Sequence, residues 1–384
     1  MNLPLDGIRV LDCSRVLAGP FATMLLADLG ADVIKLEPPG GDESRNWGPP
    51  FWDVGRSAYY ASVNRNKRSI VVDLRADAGR AVLDRLAAQS DLLVHNLRPS
   101  AAERLGLGAK RLRERHPRLV VAVVGGFPGG EVERPAYDVL AQAVSGLMSL
   151  SGEPGGPPMK VGVALLDLLV GLELAVGALA ALVGRGSVGR VDVSLVEAGV
   201  TSLVNVLGNV LATGDDPVRL GNAHPNIVPY QPFAARDGWV VVAVGNDVQF
   251  RSLLAVLGLP LDSRFATNAD RVARREELVA LLTPTIAERG RDELVAALSE
   301  VDVPAGPVNS VVDALTSMRV AHDGAWDEEV DGMALAPSPL RLDGERPPVR
   351  RPPPRLGEHT DEVLAETGLP PDEIAALRGA GILG

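Results

Sequence analysis

The stretch PPMKVGVALLDLLVGLELAVGALAALV, residues 157–183, is apolar or small at almost every position. Its only charged residues are Lys160, Asp167 and Glu173. The stretch is long enough to cross a bilayer, but each of its two carboxylates would be costly in hydrocarbon without a partner. The pattern therefore predicts a helix that is buried on all sides within a large soluble protein.

Asp167 is an isolated acid within this predicted helix. Glu173 lies about 120° further round the helix, so the two carboxylates do not form a pair. Gly171 and Ala178 share the face of Asp167, and their small size would let another backbone or a ligand come close. Two interpretations stay open from the residues alone. Asp167 either bonds to backbone amides near the helix start, or it is a reactive carboxylate in a dry site.

The segment before this helix predicts a parallel sheet. Residues 8–12 and 31–36 have the composition of strands, and residues 21–29 between them have the apolar spacing of a helix that Gly30 ends. This order is a βαβ unit. Further strands are predicted at residues 70–74, 91–96, 119–124 and 190–195. The sequence lacks GxGxxG, so a dinucleotide fingerprint is not supported.

Three cations stand just before the predicted strand at residues 70–74, namely Arg65, Lys67 and Arg68. Such a cluster is usually a solvated turn. It could also hold phosphates, because arginine and lysine near strand ends make good anion clamps.

The second half of the chain changes character after the central helix. Residues 208–229 are polar and rich in turn formers, and residues 233–244 predict a hairpin that turns at Asp237 and Gly238. Helices are predicted at residues 247–257, 274–288 and 291–300, followed by an extended, basic, proline-rich arm at residues 346–355. A short helix at residues 371–377 completes the prediction.

Composition excludes several classes of protein. The 384 residues carry a net charge of −11, which does not suggest a general nucleic-acid binder. The single cysteine, Cys13, excludes an intrachain disulfide, and the five histidines lack metal-binding spacing, so no metal site is predicted. The first residues lack the pattern of a secretory signal, which predicts a cytoplasmic location without a membrane partner.

Several long stretches carry a resemblance to a known family. They are residues 5–42, 64–74, 91–99, 134–146, 157–171, 191–198, 221–233 and 356–364. Together they resemble the class III (CaiB/BaiF) coenzyme A-transferases nearly from end to end. The segment from Gly221 to His224 stands where the oxalate-specific members carry a glycine-rich lid, so the chain looks most like the members that use succinyl-CoA and dicarboxylates.

This resemblance implies an architecture. It is an α/β fold in which a large Rossmann-like domain with a parallel sheet, residues 1–190, is completed by residues 325–384. A linker at residues 191–224 leads to a small α+β domain at residues 225–308, and a return linker spans residues 309–324. Two such chains thread through each other as an interlocked homodimer.

The resemblance also implies the chemistry. Asp167 falls at the position of the family's nucleophile, which forms a mixed anhydride and then an aspartyl-CoA thioester. The substrates are an acyl-CoA and a small carboxylic acid, with no tightly bound cofactor. The implied CoA contacts are Val16, Leu17, Ala18, Val72, Asp73, Leu74, Arg75, Asn96, Leu97, Arg98, Arg104, Ala136, Tyr137 and Asp138. Pro38 replaces an arginine that binds CoA phosphates in some members, which leaves Arg75, Arg98 or Arg104 for that role.

Two other functions remain open on the sequence. The family also contains 2-methylacyl-CoA racemases, which need a histidine base where this chain has Tyr137. A tyrosine, with a pKa near 10, would be a poor replacement. A non-catalytic CoA-binding subunit is the other alternative, against which the presence of Asp167 argues.

Overall fold

The structure is a computed structural model that describes residues 3–129, 133–184, 187–322 and 327–384. The chain forms two compact units. The first comprises Met1–Ser145, Val161–Ser202 and His322–Gly384, and the second comprises Gly146–Lys160 and Leu203–Ala321. The segment 146–160, which the sequence analysis placed in the large domain, therefore groups with the second unit.

The elements follow one another along the described chain without an internal repeat. The strands are β1 (Arg9–Asp12), β2 (Asp32–Glu37), β3 (Phe51–Asp53), β4 (Arg56–Ser57), β5 (Lys67–Val71), β6 (Leu92–His95), β7 (Val120–Gly125), β8 (Arg190–Ser194), β9 (Tyr230–Ala235), β10 (Gly238–Ala243), β11 (Ala305–Pro307), β12 (Glu328–Val330) and β13 (Met333–Leu335). The helices are α1 (Ala18–Asp28), α2 (Ala58–Ala61), α3 (Asp77–Ala87), α4 (Pro99–Arg104), α5 (Ala109–Arg115), α6 (Asp138–Val144), α7 (Leu147–Leu150), α8 (Leu165–Val183), α9 (Leu195–Thr201), α10 (Val204–Thr213), α11 (Asp247–Leu257), α12 (Asn268–Ala273), α13 (Arg275–Ala287), α14 (Arg291–Ser299), α15 (Val311–Ala321), α16 (Thr360–Glu366) and α17 (Pro371–Gly379), with 3-10 turns at Glu43–Asn46 and Ser263–Phe265.

The first unit is built on a six-stranded sheet in the order β5-β2-β1-β6-β7-β8. All of its strand pairs are parallel, which confirms the predicted α/β class. Counted along the chain, the order is third, second, first, fourth, fifth and sixth, as in doubly wound nucleotide-binding sheets. The order reverses between β1 and β6, where Val10 pairs with Leu92. Ligands of such sheets bind at this point, outside the carboxyl ends of the strands.

Helix α8 occupies the C-terminal part of the apolar stretch 157–183. Its inner side chains, such as Leu166, Val170 and Leu174, are fully buried where the helix packs on α1, β7 and β8. Within a single chain the helix is not buried on all sides, as had been predicted, because Val176 and Val183 are 67% and 80% exposed. By length and composition α8 could cross a membrane, but one of its faces belongs to the core of the sheet.

The proline-rich arm lies on the first unit. The backbone N–H of Arg350 donates to Asn66 Oδ1 at 2.6 Å, and its guanidinium donates to the carbonyl of Ala27 at 2.6 Å. Pro353 and Pro354 are buried, and the carbonyl of Pro354 accepts from Arg45. Because the side chains of Asn66 and Arg45 satisfy the arm's backbone groups, the arm has a packing surface within a single chain.

The second unit contains an antiparallel sheet in the order β11-β10-β9 with helices packed on it. The predicted hairpin is confirmed, with Ala235 paired to Gly238 across the turn. The two segments predicted as linkers are partly helical, since α9 and α10 lie within residues 191–224 and α15 lies within residues 309–324.

Candidate active site

The turn that follows β1 reaches the crevice where the strand order reverses. Asn96, just after β6, holds this turn through both ends of its amide. Its Oδ1 accepts the N–H of Arg15 at 3.0 Å, and its Nδ2 donates to the Arg15 carbonyl at 2.7 Å. Val16, the next residue, has φ of 69°, a left-handed conformation that is uncommon for a β-branched residue. The predicted contacts at residues 16–18 and 96 therefore meet at the crevice.

Helix α1 begins immediately after this turn and crosses α8 at Gly171. A Cβ atom at Gly171 would lie 2.8 Å from the carbonyl oxygen of Ala18 and 2.8 Å from the ring of Phe21. The expectation that small residues on this face admit another backbone is thus confirmed. Since Asp167 lies one helical turn before Gly171, the close crossing places Ala18 beside the face that carries Asp167.

Asp138 caps the start of α8. Its Oδ1 accepts the N–H of Leu166 at 2.8 Å and that of Asp167 at 3.4 Å, and its Oδ2 accepts from Gln142 at 2.5 Å. The carboxylate of Asp167 accepts no hydrogen bond from any residue in the described ranges. The capping role that the sequence left open for Asp167 is therefore filled by Asp138, which the sequence analysis had assigned to CoA binding.

Burial raises the pKa of Asp167 to about 7, and the charge of Asp138 contributes to the increase. Both acids also act electrostatically on Tyr59. Its burial and the charges of Asp167 and Asp138 raise the pKa of Tyr59 to about 12, so the phenol stays protonated and able to donate a hydrogen bond. Sequence reasoning missed Tyr59, because α2 is only four residues long and carries no motif.

An apolar cluster surrounds this part of α8. Buried Leu17 and Met24 pack with Tyr59 and Leu168. The ring of Trp47 meets that of Tyr59 edge to face, with centroids 5.1 Å apart. Asp167 therefore lies on a helix face bordered by apolar side chains. Such surroundings exclude water and strengthen electrostatic interactions.

The predicted contacts at residues 72–75 lie at the end of β5, two strands away from β1. Val72 and Leu74 face the core. The carbonyl of Asp73 approaches α3 so closely at Gly79 that a Cβ atom there would lie 2.0 Å from it. Arg75 is 76% exposed along its side chain and pairs with Asp73 at 2.7 Å.

Helix α4 carries two of the predicted cationic contacts. Arg98 is its N-cap residue and Arg104 its last residue, and both are exposed. Neither forms an ion pair with a residue in the described part of the chain. Leu97, just before them, packs against the core.

The last group of predicted contacts surrounds the start of α6. Ala136 packs so tightly against Gly126 that a Cβ atom at Gly126 would lie 2.3 Å from the Ala136 methyl carbon. Tyr137 is the N-cap residue of α6 and is 55% exposed. Asp138 turns inward to α8, as described above.

The three cations before and within β5 are neither solvated nor available to phosphates. Arg65 pairs with Asp28 at 2.6 Å, and Lys67 pairs with Asp12 at 3.0 Å. Both cations are at most 5% exposed. Arg68 is 3% exposed and binds Asp32, Glu362 and Glu366. Both interpretations of this cluster are wrong, because Arg65 and the first two residues of β5, Lys67 and Arg68, are buried against carboxylates.

Comparisons with known proteins identify the family of the chain. The model of CoA-transferase family III matches residues 5–360. The chain is 40% identical over 383 residues to the succinate–glutarate CoA-transferase of Agrobacterium fabrum, covering 94% of this chain and 95% of that protein. It is 38% identical over 395 residues to the succinyl-CoA:glutarate CoA-transferase of Homo sapiens, covering 99% and 90%.

A solved structure also matches. The crystal structure of a CaiB/BaiF family protein from Brucella suis aligns with a TM-score of 0.84 at 39% identity, covering 96% of this chain and all of that chain. The chain belongs to CoA-transferase family III, which confirms the resemblance drawn from the sequence. It is a CoA-transferase.

Proposed function

We propose that this CoA-transferase moves CoA from succinyl-CoA to a dicarboxylic acid, with Asp167 as the nucleophile. The observation that carries the proposal is a carboxylate at the start of α8 that accepts no hydrogen bond from the described residues and lies beside the crevice of the sheet. The relatives from Agrobacterium fabrum and Homo sapiens, whose names pair succinate or succinyl-CoA with glutarate, support the substrate class.

The proposed reaction divides the transfer into acyl exchanges on Asp167. Its carboxylate attacks the thioester carbonyl of the donor, the C–S bond breaks, and a mixed anhydride and the CoA thiolate form. The thiolate then attacks the Asp167 carbonyl of the anhydride, which releases the donor acid and leaves an aspartyl-CoA thioester. The acceptor carboxylate attacks that thioester, and the released thiolate attacks the acceptor carbonyl of the new anhydride. Asp167 is regenerated as a carboxylate.

The surroundings of Asp167 suit these steps. Each intermediate is sensitive to water, and the apolar cluster with Leu17 and Leu168 limits access of water to this face of α8. The protonated phenol of Tyr59 is available to donate a hydrogen bond to a developing oxyanion. The turn at residues 16–18 supplies the surface against which the thioester end of CoA would lie.

One assay with two measurements tests the activity. The enzyme is incubated with succinyl-CoA and a panel of dicarboxylic acids, and then with a chiral 2-methylacyl-CoA in deuterated water. We expect new acyl-CoA products in the first reaction and no deuterium uptake in the second. Deuterium uptake without transfer would establish the racemase instead. The absence of both reactions would leave a CoA-binding subunit.

The acid limb of the pH profile is expected to follow Asp167. Its pKa is raised, so the carboxyl is mostly protonated below about pH 7 and cannot attack. The value of kcat/KM should fall about tenfold for each pH unit below that point. Asp138→Asn removes the neighbouring negative charge and should move the limb to lower pH. Glu173→Gln, two turns further along α8, should leave it in place. An unmoved limb in Asp138→Asn would mean that Asp138 does not influence the reacting carboxyl.

Arg98 and Arg104 are the proposed sites for the CoA phosphates, since neither is paired with a carboxylate in the described ranges. Arg104→Ala should therefore raise KM for the acyl-CoA about tenfold, the effect of losing one charge-assisted contact, with little change in kcat. The matched control is Lys110→Ala, which removes an exposed cation from the next helix. Steady-state kinetics that show a large loss of kcat at unchanged KM would contradict this assignment.

An interlocked homodimer is the proposed assembly. Support comes from apolar side chains that a single chain leaves exposed on two helices of the first unit. They are Leu172, Val176 and Val183 on α8 and Val139, Leu140 and Val144 on α6, each between 38% and 80% exposed. A second copy covering these faces would bury them. Sedimentation that shows a stable, folded monomer at submicromolar concentration would exclude this assembly.

A further inference from the structure

Asp42 connects two segments that border Asp167. Its side chain is 1% exposed, and both of its carboxylate oxygens accept the N–H of Val16, at 3.2 and 3.3 Å. Its Oδ1 also accepts the N–H and the hydroxyl of Ser44, at 3.0 and 2.7 Å, and so caps the 3-10 turn that leads to Trp47. The Asp42 carboxylate therefore holds both the turn after β1 and the segment that leads to Trp47, whose ring contacts that of Tyr59.

Lys35 completes this arrangement from strand β2. Its ammonium is 0% exposed, pairs with Asp42 at 2.9 Å and donates to the carbonyl of Ser14 at 3.0 Å. The turn thus has its backbone held by side chains at three successive residues. Lys35 donates to the Ser14 carbonyl, and Asn96 bonds to both the backbone N–H and the carbonyl of Arg15. Asp42 accepts the N–H of Val16.

The turn needs this restraint because of the backbone conformation of Val16. A valine with positive φ is sterically unfavourable and persists only where the surroundings fix it. The turn is followed directly by Ala18, whose carbonyl lies against Gly171 on α8. A change at Val16 would therefore displace the backbone that meets the face of α8 carrying Asp167.

We propose that Asp42, supported by Lys35, is a positioning residue that fixes the left-handed turn at Val16 and so sets the distance between the CoA-contacting backbone and Asp167. The inference rests on the proposed function only for its catalytic consequence. The restraint of the turn does not depend on the reaction and is measured separately, by hydrogen exchange.

The test compares Asp42→Ala and the nearly isosteric Asp42→Asn with the wild type. In the folded enzyme, kcat for CoA transfer should fall about 10- to 100-fold in Asp42→Ala, because a small displacement of a positioned group costs that much. KM should change less. The matched control is Asp28→Ala, which breaks another buried ion pair of this unit, with Arg65, away from the turn. It should lower thermal stability while kcat per folded enzyme stays unchanged.

A second substitution separates positioning from general damage. Glycine adopts positive φ without steric cost. Adding Val16→Gly to Asp42→Ala should therefore restore part of the lost kcat, since the turn no longer needs the carboxylate to hold it. A double variant with no recovery, together with kcat loss in Asp28→Ala equal to that in Asp42→Ala, would overturn the proposal.

Hydrogen exchange gives a measurement that does not depend on activity. The peptide that covers residues 13–18 should exchange faster in Asp42→Ala than in the wild type, while the peptide over β6 keeps its protection. If the alanine variant fails to fold, the same comparison is made with Asp42→Asn. Unchanged protection of residues 13–18 would refute the positioning role. If the wild type lacks CoA transfer yet this peptide loses protection in the variants, the proposed function fails and the restraint of the turn stands.

Discussion

Asp167→Asn is expected to abolish CoA transfer and, at pH 8, to make the protein more stable. An amide cannot attack a thioester, so no covalent intermediate can form and activity should fall by several orders of magnitude. Stability should rise because the amide is neutral, whereas the native carboxylate is held charged in a partly apolar environment next to Asp138.

The direction of the stability change follows from proton linkage. The folded-state pKa of Asp167, about 7, lies above the ordinary value of 3.8. The carboxyl therefore contributes its full stability below pH 3.8, and that contribution is lost as the pH rises through 7. At pH 8 the charged Asp167 carboxylate lowers the free energy of unfolding by between about 1 and 4 kcal/mol relative to a neutral side chain. The gain in Asp167→Asn should disappear when unfolding is measured at acid pH.

Trapping experiments identify the intermediate itself. Incubation with succinyl-CoA in the absence of an acceptor should build up the aspartyl thioester. Hydroxylamine should convert it to a hydroxamate and borohydride should reduce it, each changing the mass of the peptide that contains Asp167. Asp167→Ala should show neither change. A folded Asp167→Ala enzyme with substantial activity, or an adduct on another residue, would falsify the nucleophile assignment.

The parallel sheet and the course of α8 could be predicted because their signals are local. Strand β1, Gly30 and strand β2 form one βαβ pattern within a short stretch of sequence, and Gly171 shares a helix face with Asp167. The end of α1 also follows from Gly30. These features depend on periodicity and on single turn residues, both of which can be recognised within a short stretch of sequence.

The charge network beneath the site could not be predicted in the same way. Arg65 and Lys67 look like solvated cations in the sequence, yet their partners Asp28 and Asp12 lie 37 and 55 residues away. Only the assembled sheet brings them together. Asp42 was similarly hidden in a loop rich in glycine and proline, because its partner Val16 lies on a different strand connection.

The exposed face of α8 marks another limit. Apolar composition alone predicts burial on every side, and it does not tell a core residue such as Val170 from an exposed one such as Val176. Both are apolar, and the difference arises from which face meets the sheet. Periodicity offered little help, since the residues between Asp167 and Val183 are almost uniformly apolar.

Asp12→Ala is expected to destabilise the first unit severely. The Asp12 carboxylate is fully buried and accepts from Lys67 at 3.0 Å, from Thr23 at 2.7 Å and from the N–H of Ser14 at 3.0 Å. Burial alone would raise the pKa of Asp12, but the ammonium groups of Lys67 and Lys35 hold it below its usual value. Its removal leaves the Lys67 ammonium without a counterion in the core.

The expected cost is about 3 to 5 kcal/mol, as for other buried ion pairs broken on one side. Such a loss is a large share of the 5 to 15 kcal/mol that holds a typical domain folded. The measurement is urea unfolding at pH 7 and fixed protein concentration. Asp12→Asn, which keeps an acceptor oxygen for Thr23, should lose less than Asp12→Ala. Arg190→Ala, which breaks the exposed pair with Asp192, should lose at most about 1 kcal/mol.

The pH dependence of this loss distinguishes an unpaired charge from a simple cavity. Burial lowers the pKa of Lys67 to about 8 even with Asp12 present, and its value should fall further once Asp12 is removed. The folded variant then holds fewer protons than its unfolded chain below the ordinary lysine pKa of 10.5, so its stability should rise as the pH rises toward that value. Because the folded wild type also loses this proton near pH 8, the gap in stability between Asp12→Ala and the wild type should narrow as the pH rises to about 8 and then level off. A gap that stays constant would mean that lost packing, and not the stranded ammonium of Lys67, sets the cost.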